Sequence, residues 1–96
     1  MKQINLESYG PIISDKEVGN KIYESIKNDL LSDNVSIDFS AIKSMATFNA
    51  KQIFGKLYLE LGPESFFEKI VMINASRDIK TIIKMGIQSA IEEKKV

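Results

Sequence analysis

The stretch VSIDFSAIKSMATFNAKQIFGKL, residues 35–57, decides how the rest of the chain is arranged. Val35, Ile37 and Phe39 alternate with Ser36 and Asp38, the period of a half-buried strand. Their β-branched and aromatic side chains suit a pleated surface. Ser40 to Ala46 is too polar and irregular to prolong that strand and reads as a turn. From Thr47 the period changes. Ala50, Ile53, Phe54, Leu57 and Leu61 recur at helical spacing, and Lys51, Gln52, Lys56 and Glu60 fall largely on the other side. Gly62 and Pro63 stop the helix, because glycine fits a left-handed cap and proline cannot continue the ladder. The unit is a strand, an irregular turn and a helix packed back on the strand.

Upstream, Lys2–Leu6 reads as a first strand with Ile4 and Leu6 on one face, and Tyr9-Gly10-Pro11 as a turn. Ile12 and Ile13 add a brief extended piece. Ser14-Asp15-Lys16-Glu17 matches a capping box with Ser14 as the N-cap. Behind it Val18, Ile22, Ile26 and Leu30 form a helical stripe, widened by Tyr23 and Leu31, and the helix is expected to end near Leu31 or Ser32. Downstream, Glu64–Lys69 reads as a connector whose Phe66 and Phe67 seal the core. Lys69–Asn74 is a third strand, and its nearly continuous apolar run suits a strand covered on both faces or placed centrally. The last helix starts between Ala75 and Arg77, capped by Asn74 or Ser76. Its inner stripe is Ile79, Ile82, Ile83, Ile87, Ala90 and Ile91. That stripe stays in phase through Gly86, so one helix is expected, with Glu92–Val96 as a frayed end. The whole, residues 1–96, is a single α/β domain in β-α-β-α-β-α order with a mostly parallel sheet.

Composition narrows the chemistry. Lys plus Arg and Asp plus Glu number 13 each, so the formal net charge is zero and steering to nucleic acid is not expected. Arg77 is the only arginine, which removes a bidentate phosphate-reading cluster. The chain has no Cys and no His. Disulfides, thiolate nucleophiles, the usual zinc ligands and the commonest general base are therefore absent together. No metal and no cofactor is expected. No apolar run is long enough to span a bilayer, and MKQINLESYG lacks the apolar core of a signal peptide. The expectation is a cytoplasmic protein with no membrane partner.

Individual residues carry sharp and bland readings. Asp38 at a strand end has the position of a catalytic carboxylate, but no second acid or histidine converges on it in the sequence, and a turn-stabilising role is favoured. Ser40 lacks a visible base. Gly55 has no glycine-rich run before it and reads as a point of close helix approach. Met72 and Met85 read as packing. Met45 is the exception, expected beside Phe48 as an exposed contact surface.

Asp38-Phe39-Ser40-Ala41-Ile42, together with Ala46–Leu57, resembles the STAS-like domain family. These are small bacterial domains similar to the anti-sigma-factor antagonists and to the STAS modules of sulfate transporters. Phe54-Gly55-Lys56-Leu57 looks like the helix signature of the STAS-like branch, and the later strand ending in Asn74 also fits. The resemblance implies a non-enzymatic regulatory module. In the antagonist branch a hydroxyl at the helix start is phosphorylated by a partner kinase, and the modified form releases that partner. Thr47 takes the matching position, with Ser44 as second candidate. Ala46 stands where an acidic residue is usual, and Phe48 and Asn49 stand where small residues are usual. Thr47 also has the bland reading of a helix N-cap. The resemblance implies a partner surface of Ser40, Lys43, Ser44, Met45, Thr47, Phe48, Asn49 and Lys51, and a partner of the histidine-kinase-like ATPase class. Two other readings stand beside it. One is a small-ligand or nucleotide site where the central strand meets the helix start. The other is a structural subunit whose homodimer buries Met45–Phe48.

Overall fold

The alternation of Val35, Ile37 and Phe39 becomes the middle strand of the structure, a computed structural model that describes residues 1–95. In chain order the elements are β1 (Lys2–Asn5), a 3₁₀ turn (Glu7–Tyr9), β2 (Ile12–Ile13), α1 (Lys16–Leu30), β3 (Val35–Asp38) and β4 (Ser44–Met45). Then α2 (Thr47–Ala50) runs through a π-helical turn (Lys51–Gly55) into α3 (Lys56–Leu61). The chain closes with α4 (Pro63–Lys69), β5 (Ile70–Ile73) and α5 (Arg77–Lys94). The sheet order is β1-β3-β5, and β2 pairs with β4 in a second small ladder. Among the described residues every strand pair is parallel. A mostly parallel α/β arrangement is thus what the structure has. The simple β-α-β-α-β-α order is corrected by two additional short strands and by α4.

Register explains which face is dry. Ile4 and Ile37 pair, as do Val35 and Ile70, and Ile37 and Met72. Their side chains share one face of the sheet. Val35 and Ile37 are fully buried there, in one cluster with Ile22 and Ile26 of α1 and Ile53, Phe54 and Leu57 of the middle helix. The opposite face carries Gln3, Asn5, Ser36 and Asp38, with exposed Val71 beside them. The expectation of a third strand covered on both faces or placed centrally is therefore corrected. Strand β5 is an edge strand, and its apolar run includes residues on the wetter face.

Several local readings change at the residue level. Asp15, not Ser14, caps α1, and its side chain accepts from the Glu17 amide at 3.0 Å. Gly62 does stop α3, with φ 84°, a region that glycine enters freely. Pro63, however, opens a new helix, because a proline at the first helical position removes only an amide that had no partner. The supposed connector is thus α4. Within it Phe66 is buried as expected, whereas Phe67 is 67% exposed. Helix α5 is continuous through Gly86 and reaches Lys94, so the expected fraying of Glu92–Lys94 is not seen. Ser76 is its cap, accepting from the Ile79 amide. Val96 lies outside the described residues. Among the described residues no helix is long and apolar enough to cross a membrane.

The middle helix is squeezed from two sides, and glycines make this geometrically possible. A Cβ at Gly86 would lie 2.5 Å from the Ala50 carbonyl carbon, and one at Gly55 would lie 2.8 Å from the Ala90 Cβ. The expected close approach at Gly55 is therefore present, and α5 is its partner. On the other flank Gly19 of α1 faces Asn49 and Gln52. The π-helical turn sits between these contacts, with the Lys56 amide bonded back to the Lys51 carbonyl. Inserted π turns often mark functional positions.

Candidate functional site

Two loops at the carboxyl end of the sheet are joined by backbone hydrogen bonds. The amides of Lys43 and Ser44 donate to the Pro11 carbonyl, and the Ala46 amide donates to the Ile13 carbonyl. This ladder makes β2 and β4, and it delivers the chain to the start of α2 at a fixed angle. Asp38 sets the other end of the loop. Its Oδ1 accepts from the Ser40 amide at 2.9 Å and from Asn74 Nδ2 at 3.2 Å. Asn74 itself sits at φ 57°, a conformation that asparagine tolerates better than most residues. The turn-stabilising reading of Asp38 accordingly fits the structure.

The Ser40 amide first, and then Asn74, hold the Asp38 carboxyl below the ordinary carboxylate range. A lowered folded-state value means that Asp38 stabilises the fold above its unfolded value. That contribution disappears as pH falls through the lowered folded value. Asp38→Asn is therefore expected to lower the melting temperature at neutral pH. The gap from wild type should narrow as pH falls through and below the ordinary carboxylate range. Melting curves across that range check it. A gap that stays constant with pH would show that the charge is irrelevant.

The residues expected at a partner surface divide sharply. Ser40, Lys43, Ser44 and Thr47 are exposed, and Phe48 is 50% exposed. Lys51 is half-buried and ion-paired with Glu93 of α5. Met45 is 3% exposed and belongs to the core. It cannot form the exposed contact pair with Phe48, because strand β4 turns it inward while Ser44 points outward. Asn49 is fully buried. Its Nδ2 donates to the Asp15 carbonyl at 3.0 Å and to Gln52 Oε1 at 3.2 Å. Gln52 in turn donates to the Lys16 carbonyl. These two amides tie the middle helix to the first turn of α1, so Asn49 is removed from the partner surface. Thr47 is also not the N-cap. Ala46 is, and it provides no side-chain hydrogen bond.

The Thr47 hydroxyl therefore stands in the first turn of a helix whose cap gives its amides no side-chain partner. Beside it lies an open groove of about 690 Å³, with Lys16, Lys51, Lys56 and Lys94 on its walls and Phe48 and Leu59 among its apolar residues. Lys16, Lys56 and Lys94 do not stand out in the sequence, since they lie far apart in it: Lys16 reads as part of a capping box, Lys56 as a wet helix face and Lys94 as part of a frayed end. Further along the same rod, Tyr23 donates to Glu60, Lys27 reaches both, and Lys56 lies over the Tyr23 ring. Burial and the Glu60 carboxylate push the Tyr23 hydroxyl up. Burial alone would raise the Glu60 carboxyl, but the bonds from Tyr23 and Lys27 outweigh it and leave it lowered.

A nucleotide at the carboxyl ends of the strands is poorly supported by these groups. The ionised Asp38 is a local negative charge, and its acceptor oxygen is already occupied by Ser40 and Asn74.

No curated protein and no solved structure matches the chain. A family model described as a STAS-like domain of unknown function matches residues 18–80. That span contains the Asp38 turn, the Thr47 helix start, the π-helical turn and strand β5. With that much of its length matched, the chain belongs to the STAS-like domain family.

Proposed function

We propose that this domain is a non-enzymatic regulatory module that binds another protein through the exposed start of its middle helix, and that phosphorylation of Thr47 releases the partner. The observation that carries the reading is the pair Thr47–Phe48. Both side chains are exposed on the first turn of a helix held rigidly between α1 and α5. A half-exposed phenylalanine on a rigid scaffold suits a protein contact. A phosphate at Thr47 would bring about −1.5 to −2 charges to the helix start, where amides and the dipole tolerate it. Lys51, paired with Glu93, follows one turn later on the same face and adds a positive charge nearby. A partner lying flat over Phe48 would face a new, strongly hydrated anion, and no backbone movement is needed to displace it. Ser44, exposed on β4, is the second acceptor. A kinase-type ATPase is the class of partner that family resemblance favours.

The test is photo-cross-linking. With benzoylphenylalanine in place of Phe48, wild-type Thr47 should give a discrete adduct with another protein in cells of the source organism. Thr47→Glu in the same background should reduce that adduct at least severalfold. Equal adduct yield from both would contradict the switch.

A further inference from the structure

A chain with zero formal charge has nevertheless gathered four lysines around one groove. They arrive from three elements. Lys16 is the first residue of α1, Lys51 and Lys56 come from the middle helix, and Lys94 ends α5. Glu93 is the only acid on the groove wall, and it pairs with Lys51, leaving a surplus of three positive charges. Among the described residues, ion pairs take up Lys27 and Lys51, and Lys56 lies over the Tyr23 ring, whereas Lys16 and Lys94 have no ion pair. Like charges held together by the fold repel, and a counter-charge from outside relieves that repulsion. The groove also has an apolar component, Phe48, Leu59 and Ala90, that a small anion would leave uncovered.

We infer that this groove docks an acidic segment of a partner protein, carboxylates against Lys16, Lys56 and Lys94 and one apolar side chain against Phe48 and Leu59. The inference rests on the reading of the Thr47–Phe48 surface as the docking site, and it adds the partner's chemistry. Nucleic acid fits less well. Arg77, the one arginine, sits at the opposite end of α5 from Lys94, and a single phenylalanine gives no stacking platform. The inference also accounts for release. A phosphate on Thr47 would add negative charge at the edge of the groove and repel the segment's carboxylates, so modification would offset the lysines and not merely block the surface.

The experiment is an NMR titration of the full chain with a short synthetic peptide of aspartates and glutamates around a central leucine. Its asparagine and glutamine counterpart is the control. The acidic peptide should give saturable shifts at the amides of Phe48, Gln52 and Lys56, weakening as salt is raised. Lys16→Gln combined with Lys94→Gln should weaken it about tenfold or more while leaving the melting temperature near wild type. Shifts of equal size from the neutral peptide, none from the acidic one, or an unchanged affinity in the double variant would overturn the inference. Tighter binding of a DNA duplex, or concentration-dependent self-association through the same amides, would overturn it too. If the cross-link from position 48 survives the double variant, the acidic segment is wrong and the docking surface stands. If wild type gives no cross-link at all, the docking surface itself is wrong.

Discussion

Phe54→Ala is expected to bring this domain close to unfolding. Phe54 is fully buried in the π-helical turn, and its ring centroid lies 6.0 Å from that of Phe39 at the end of the central strand. Removing a buried phenylalanine costs about 3–5 kcal/mol, from lost transfer energy and from the cavity left behind. A domain of this size has about 5–15 kcal/mol in total. The cavity should collapse poorly here, because the helix carrying it is pinned on both flanks by glycine-mediated contacts. Urea denaturation followed by circular dichroism should show a loss in that range. Phe48→Ala, six positions earlier but half exposed, should stay within about 0.5 kcal/mol of wild type. A small loss at Phe54 would mean that the middle helix does not bear on the sheet as described.

Gly86→Ala should also destabilise strongly, although it replaces a poor helix former with the best one. On propensity alone the change is favourable by about 1 kcal/mol. The added methyl, however, would lie 2.5 Å from the Ala50 carbonyl carbon and 2.6 Å from the Lys51 amide nitrogen. Those are backbone atoms of a helix that α1 holds from the other side, so neither can retreat. Overpacking of this kind costs about 1–3 kcal/mol and occasionally more. With contacts this short the upper end applies, giving a net loss of about 2 kcal/mol. In a domain this small that is roughly a 10 °C fall in melting temperature. A rise in melting temperature would show that α5 is free to move away from the middle helix.

These two residues mark where the sequence is readable and where it is not. Phe54 was legible because it falls on a stripe of correct period, and so were Val35, Ile37, Ile22 and Ile79. Gly86 was legible only as a tolerated glycine in a continuous helix. What it touches depends on an interhelical distance that no local pattern encodes. The π-helical turn has the same origin, since its phase is set between neighbours and leaves no residue signature. Met45 and Asn49 were misplaced for related reasons. A two-residue parallel ladder has no periodicity to detect, so β4 looked like an exposed turn and Met45 like a surface residue. Asn49 is assigned to the partner surface by the family resemblance alone. It is dry because Gly19 lets α1 bring its carbonyls within reach of the amide. Pro63 marks a stop in the sequence pattern and also starts the next helix, so no separate signal announces α4.

The candidate site followed the same division. The position of Thr47 and Phe48 at the start of the middle helix is legible because the period changes there from strand to helix. Lys16, Lys56 and Lys94 became part of one surface only through tertiary packing, since their separation in the chain exceeds any helical or strand repeat. The neutral overall charge concealed them further, because charge balance over the whole chain says nothing about segregation on its surface.

The most direct measurement compares cross-linking from two exposed phenylalanines. Phe48 and Phe67 are 50% and 67% exposed, so solvent access alone favours Phe67. With benzoylphenylalanine at each position in turn, a discrete protein adduct is expected from position 48 and not from position 67. An adduct from position 67 alone, or none from either, would contradict the assignment of the Thr47–Phe48 surface as the place where this domain meets its partner.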